Sequence, residues 1–183
     1  SGEKDGSKEL AKRNIMAFEQ LNADYIITNA GGCGAYLIEY DYLFKEDVEW
    51  KERAERFVSK LKDITEVLVE MEFHRLPLQL PQQIITYQDS CHLRNVMKTS
   101  DEPRTLLKGI KGVEYKEMQE SDSCCGSAGI YNIVESTMSM QILDRKMTNV
   151  KETNATTIVT ANPGCLLQMK LGIEREGLSD KVR

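Results

Sequence analysis

The chain has 183 residues, enough for one domain or two small ones with a packed core. Apolar residues make up 40% and charged residues 29%, and a formal net charge of −5 argues against nucleic acid or an anionic membrane surface as a partner. No apolar run approaches the roughly 18 residues of a membrane span, and the N-terminal "SGEKDGSKEL" lacks a signal-peptide core, so the cytoplasm is the expected location.

In chain order, "ELAKRNIMAFEQLN" predicts a helix, "ADYIIT" a short strand and "GAYLIEYDYLF" a second helix. Residues 47–72 predict a single long amphipathic helix, with Trp50, Ala54, Phe57, Leu61, Ile64, Leu68 and Met71 on one face. "HRLPLQLPQQ", with two prolines, reads as a linker and divides the chain into residues 1–75 and 76–183. "IITYQ" follows as a strand, "EPRTLLKGI" as a short helix ending near Gly109, and "GVEYKEM" as another strand. "SAGIYNIVESTMSMQILDRKMTNV" predicts one long helix, in which Met138, Met140 and Met147 read as core. "ATTIVT" and "LLQMKLGIERE" complete the chain as strand and helix. Strands alternating with helices predict an α/β fold with short, largely parallel sheets.

Two stretches match at one constant offset: "ADYIITNAGGC", Ala23 to Cys33, and "ATTIVTANPGC", Ala155 to Cys165. Each is preceded and followed by a helical pattern, so the chain reads as containing a duplication. The paired Cys124 and Cys125 belong to the second copy. Carried back by the same offset, their counterparts fall before residue 1. The expectation is the tail of one repeat, with Cys33 left without partners, followed by a whole second repeat.

The five cysteines are Cys33, Cys91, Cys124, Cys125 and Cys165. Adjacent cysteines are poor disulfide partners, and an odd count in a chain without a signal sequence moves metal or redox chemistry forward. The second copy's cysteines fall in strand-to-helix turns, where α/β proteins gather their sites. Asp89 or Ser90 can cap a helix and place Cys91 in its first turn. Asn162 can cap another, with Pro163 at its first position and Cys165 at its third. "CCGSAG" precedes the long helix, with Gly126 and Gly129 allowing a tight turn. Helix N-termini favour thiolates, the form that binds metal.

On ligand count, four thiolates suit zinc and an iron–sulfur cluster equally. The sequence has no CxxC knuckle, and adjacent ligands fit a multinuclear cluster better than one tetrahedral ion. A metal-free dithiol of Cys91 and one of the pair is a third reading. His92 reads as structural, with ligand or proton donor as its alternatives, and His74 as a surface residue. Gly31-Gly32-Cys33-Gly34 lacks the register of a phosphate-binding motif, and no hydrolase triad, dinucleotide fingerprint or HExxH is present.

"CHLRN", "CCGSAGIYN" and "NPGCLLQM" resemble the cysteine-rich CCG domain. That family includes cysteine-rich subunits of heterodisulfide reductase and of anaerobic glycerol-3-phosphate dehydrogenase, lactate-utilisation iron–sulfur proteins and glycolate oxidase iron–sulfur subunits. "NAGGCGAYLIEYDYLF" and "TANPGCLLQM" are most similar to the glycolate oxidase branch. The resemblance implies two CCG repeats and an iron–sulfur cluster, of 4Fe–4S type, on Cys91, Cys124, Cys125 and Cys165, with zinc or an empty site as alternatives. Where the family pattern ends in CPxC, this chain has Asn162 in place of the first cysteine, which leaves four candidate ligands.

The resemblance further implies a non-catalytic, electron-transferring part of a glycolate oxidase complex. Its implied partners are a flavoprotein subunit that converts glycolate to glyoxylate, an N-terminal ferredoxin-like region of the same subunit, and a quinone-type acceptor. It would meet the inner face of the membrane peripherally, through the complex. A subunit serving lactate or another 2-hydroxy acid, and a zinc-bound docking module, are the alternative readings.

Overall fold

The computed structural model describes residues 3–183. In chain order the elements are α1 (Lys4–Glu19), β1 (Ile26–Thr28), α2 (Gly31–Ile38), α3 (Tyr40–Leu43), α4 (Lys51–Ser59), β2 (Leu61–Asp63) and α5 (Ile64–Glu70). A 3-10 turn (Phe73–Arg75) leads to β3 (Gln79–Gln88), α6 (Cys91–Asn95), α7 (Asp101–Lys108) and β4 (Lys111–Tyr115). The chain continues with α8 (Tyr131–Val134), α9 (Ser136–Thr153), β5 (Thr157–Thr160) and α10 (Pro163–Arg175).

Two parallel sheets result, as the alternation of strands and helices requires. One pairs β1 with β2; the other has the order β4-β3-β5. Each has its own apolar core. Ile26 and Leu61 of the first sheet pack with Ala11, Ile15, Phe44, Trp50 and Phe57. Ile158 of the second packs with Met118, Leu143, Met147, Met169 and Ile173. The matching stretches occupy matching places, since α1-β1-α2 and α9-β5-α10 are the same helix–strand–helix unit.

Residues 47–72 do not form one helix. Leu61–Asp63 pairs with Ile26–Thr28 as a strand, and a new helix starts at Asp63. Asp63 accepts from the Thr65 N–H (2.9 Å), and Glu66 accepts from the Asp63 N–H (2.8 Å). This capping box, spelled D-x-x-E in the sequence, outweighs the continuing apolar period. Trp50, Ala54, Phe57 and Leu61 are buried as expected, whereas Met71 is exposed. The long helix expected after the paired cysteines is also interrupted, at Glu135, and Met138 faces solvent while Met147 is buried. Half of the proline-rich linker is strand, because β3 starts at Gln79 and runs through Pro81. His74 is half-buried, and its Nδ1 is shielded without a partner.

The loop after β3 is fixed by charge. Asp89, buried at 2% exposure, does not cap α6. Its carboxylate takes a bidentate pair of hydrogen bonds from Arg104 (3.0 and 2.8 Å) and another from Arg94 (3.0 Å). The Asp89 N–H donates to the Ser121 carbonyl (3.1 Å), tying the loop of Cys91 to that of Cys124 and Cys125. Arg104 also grips Glu117 through two bonds of 2.8 Å. Arg104, with smaller help from Tyr115 and Ser121, holds the Glu117 carboxyl at about 2 against its ordinary 4.5.

A carboxyl depressed on folding contributes stability above its unfolded value and loses it as the pH falls toward its folded value. Glu117 is half exposed, so solvent screening limits the contribution to roughly 1 kcal/mol. The stability difference between the wild type and Glu117→Gln, measured by urea unfolding, is expected to be constant above pH 4.5 and to shrink toward pH 2. A difference independent of pH would contradict the assignment.

Candidate functional site

Strands β3 and β5 end on one side of their sheet, and their C-terminal turns carry cysteines. Ser90 precedes α6 and puts Cys91 at its first position; the Ser90 hydroxyl makes no cap bond. Asn162 precedes α10, Pro163 occupies the first position and Cys165 the third. The paired cysteines arrive differently. They lie in the loop after β4, not at a helix N-terminus, because a turn from Gly126 to Gly129 separates them from α8. That turn takes positive φ at Gly126 (94°), Ala128 (34°) and Gly129 (68°), which directs backbone N–H groups inward as a nest.

Cys91, Cys124, Cys125 and Cys165 line one pocket of about 360 Å³, together with His92, Ser127, Asn162 and backbone at Gly32, Ala128, Gly129 and Gly164. No acidic side chain lines it. Cys33 stands at the third position of α2, the counterpart of Cys165, but it is exposed and outside this pocket. All five cysteines are unpaired.

The sulfurs act on one another in the order Cys91, Cys124, Cys125, Cys165. Hydrogen bonds from the Cys125 and Cys91 thiols pull Cys124 far below the ordinary thiol range, and the N–H groups of Gly126 (3.3 Å) and Ala128 add to this. A hydrogen bond to Cys124, then burial, pushes Cys91 up; the single S–H of Cys125, shared between Cys124 and Cys165, and then burial push Cys125 up. A hydrogen bond from Cys125 lowers Cys165 to about 7, against burial and with help from Asn162. His92 Nδ1 stands 3.5 Å from Cys91 Sγ.

Four soft donors ringed by N–H groups match what an iron–sulfur cluster requires. Among the described residues, no three His, Cys, Asp or Glu side chains are grouped as a site for a single metal ion. The four donors line one shared pocket.

Several supporting residues are not evident from local pattern. Asn162 Oδ1 accepts from the Gly32 N–H (3.0 Å), while its Nδ2 faces Cys165 Sγ at 3.7 Å. The asparagine at the family's cysteine position thus joins the first copy's turn to the second copy's site. The Gly31 N–H donates to the Ala161 carbonyl (2.9 Å), and a Cβ at Gly31 would lie 2.6 Å from Ser90 Oγ. The CysCysGly turn is tied to both flanking helices. Ser139 Oγ donates to the Gly126 carbonyl (2.8 Å), and Gln168 Nε2 donates to Ser139 Oγ (3.0 Å). The glycine pair in the first copy and the Ser-Ala-Gly after the paired cysteines are the available signals, and both concern backbone.

Two glycine substitutions separate conformational strain from collision. In Gly126→Ala the left-handed φ costs roughly 1–3 kcal/mol, and the new Cβ would also lie 2.5 Å from the Ser139 carbonyl oxygen. At Gly129 the φ is positive but no atom lies within 4 Å, so Gly129→Ala costs roughly 1 kcal/mol. Thermal unfolding is expected to show a clearly larger fall in Tm for Gly126→Ala. Equal shifts would mean that the turn is not seated against α9.

Comparison with known proteins agrees with this geometry. The model of the CCG cysteine-rich domain matches residues 1–38 and 85–170, two segments that contain the duplicated stretches and all five cysteines. The chain is 71% identical over 184 residues to a probable glycolate oxidase iron-sulfur subunit of Bacillus subtilis (strain 168), spanning the whole of this chain and 41% of that relative. It is 32% identical to lactate utilization protein A of Shouchella clausii (strain KSM-K16) and 33% identical to lactate utilization protein A 2 of Bacillus mycoides (strain KBAB4), spanning 76% and 75% of those chains. With its two matched segments, its parallel sheets and its cysteine-bearing strand ends, the chain belongs to the CCG cysteine-rich domain family.

Proposed function

We propose that this chain is the cysteine-rich part of an electron-transferring iron–sulfur subunit in a glycolate-oxidising complex. Cys91, Cys124, Cys125 and Cys165 would hold a cluster of 4Fe–4S type, and Cys33 would belong to a first-repeat site whose other ligands are not in these residues. The observation that carries the reading is the shared pocket of four cysteines drawn from three separate turns. Identity of 71% to a relative named for glycolate oxidase supports the substrate assignment over lactate, whose named relatives stand at 32–33%. The chain division at residues 75 and 76 is part of the same proposal.

Glycolate loses two electrons and two protons in becoming glyoxylate. In this reading a flavoprotein subunit performs that step, and a quinone-type acceptor receives the electrons. A ferredoxin-like region, in the part of the relative that this chain does not span, would lie between them. Bound in the pocket, an iron–sulfur cluster supplies one-electron exchange at a potential set by its sulfur environment. The chain's own residues position the sulfurs, present the Gly126 and Ala128 N–H groups to Cys124, and shield Cys125 and Cys165 from water. No helix among the described residues is long and apolar enough to cross a membrane. The proposed place is the cytoplasm, at the inner membrane face through the complex; five unpaired cysteines suit a reducing compartment.

A structural zinc module is the rival reading. Protein purified without air is expected to contain iron and acid-labile sulfide in nearly equal amounts, with broad visible absorbance. Cys125→Ser or Cys165→Ser is expected to remove most of both, and Cys33→Ser to leave the pocket's share intact. One zinc per chain without acid-labile sulfide would overturn the proposal.

A further inference from the structure

Asn162 stands at the N-cap position of α10. An asparagine there ordinarily accepts a hydrogen bond from the first turn of its own helix. The Asn162 side chain makes no such bond. Its Oδ1 accepts instead from the Gly32 N–H of the first copy (3.0 Å), and its Nδ2 donates toward Cys165 Sγ at 3.7 Å. The side chain is spent across the junction of the two copies and on a sulfur, while α10 starts without it.

The contact with Gly32 decides which end of the amide meets the sulfur. A backbone N–H can be met only by the amide oxygen, so the NH2 group is left facing Cys165. Glycines on both sides leave room for this placement. A Cβ at Gly32 would lie 3.1 Å from Oδ1, and one at Gly164 would lie 3.3 Å from Nδ2. Gly32, Asn162 and Gly164 all line the pocket of the four cysteines. At the matching position of the first copy the residue is Ala30, whose side chain has no donor. The amide therefore belongs to the second copy's site alone, although the first copy's backbone sets its orientation.

We propose that Asn162 is a positioning residue of the four-cysteine centre: its amide, oriented by Gly32, donates an N–H···S hydrogen bond at Cys165 and raises the reduction potential of the cluster held there. The inference rests on reading the pocket as an iron–sulfur site. An electron entering the centre increases the negative charge on its sulfurs. A donor already aimed at one of them stabilises the reduced state more than the oxidised state. Asn162 acts through Cys165 and makes no bond to metal.

The test is a redox titration of the anaerobically purified protein, followed by electron paramagnetic resonance, alongside iron and sulfide content. Asn162→Ala removes both hydrogen bonds. Asn162→Asp keeps an oxygen for the Gly32 N–H but turns an acceptor toward Cys165. At the wild-type midpoint, the ratio of reduced to oxidised centre is expected to fall about fivefold in the Ala variant. The Asp variant is expected to fall further, because it also adds negative charge. Pulsed resonance of the reduced centre, before and after exchange into deuterated water, is expected to show one exchangeable-proton coupling missing from both variants. Either variant with full iron and sulfide but the wild-type midpoint and couplings would overturn the proposal, leaving Asn162 as a brace between the copies only. The Asp variant keeps that brace, so it carries the test even where Ala prevents folding. Wild-type protein lacking iron and sulfide would instead defeat the site reading itself, and this inference with it, before any variant is compared.

Discussion

Parallel strands point their carboxyl ends the same way, and that constraint organises this molecule. Because β3, β4 and β5 all run in one direction, the segments that follow them emerge on one edge of the sheet. Cys91, the adjacent Cys124 and Cys125, and Cys165 are far apart in sequence, yet they border one pocket as a result. An antiparallel β4 would deliver the paired cysteines to the opposite edge. The turn chemistry then refines what topology has brought together. Pro163 starts α10 so that its third residue faces the pocket, and the positive φ of Gly126 turns the backbone beneath Cys124.

The duplication gives the first copy a part in the second copy's site. The turn after β1 lies against the turn after β5, so the Gly32 N–H reaches Asn162, and Asn162 faces Cys165. A residue that breaks the family's cysteine pattern thereby acquires a structural purpose. The absence of a side chain at Gly31 lets the two copies approach, with Ser90 and Leu93 filling the space a Cβ would take. The electrostatic layer is built the same way. Asp89 ties the Cys91 loop to Arg94 and Arg104, and Lys146 fastens the loop of the paired cysteines to α9.

Much of this is legible in the sequence wherever the signal is local. The strands at Ile26, Ile84, Val113 and Ile158 carry β-branched residues, and α10 announces itself with Asn162-Pro163. The parallel arrangement follows from the alternation of elements. The break at Leu61–Asp63 is masked because Trp50, Ala54, Phe57 and Leu61 continue a helical period, although Asp63-Ile64-Thr65-Glu66 spells a new helix start. The paired cysteines lie further from a helix than the sequence suggests, since the left-handed conformations after them consume several residues before α8 begins. Asp89 reads as a cap because its arginine partners are outside the local pattern. Lys146 is invisible for a related reason. A lysine on an amphipathic helix reads as solvent-facing, and only the packing of α9 against the Glu120 loop reveals its burial.

In the function proposed, the four sulfurs surround a cluster of several iron atoms. Iron K-edge X-ray absorption on anaerobically purified protein tests it most directly. The expected spectrum has a first shell made of sulfur and a second shell of iron at short range. A first shell of nitrogen and oxygen, or a sulfur shell with no iron beyond it, would contradict it.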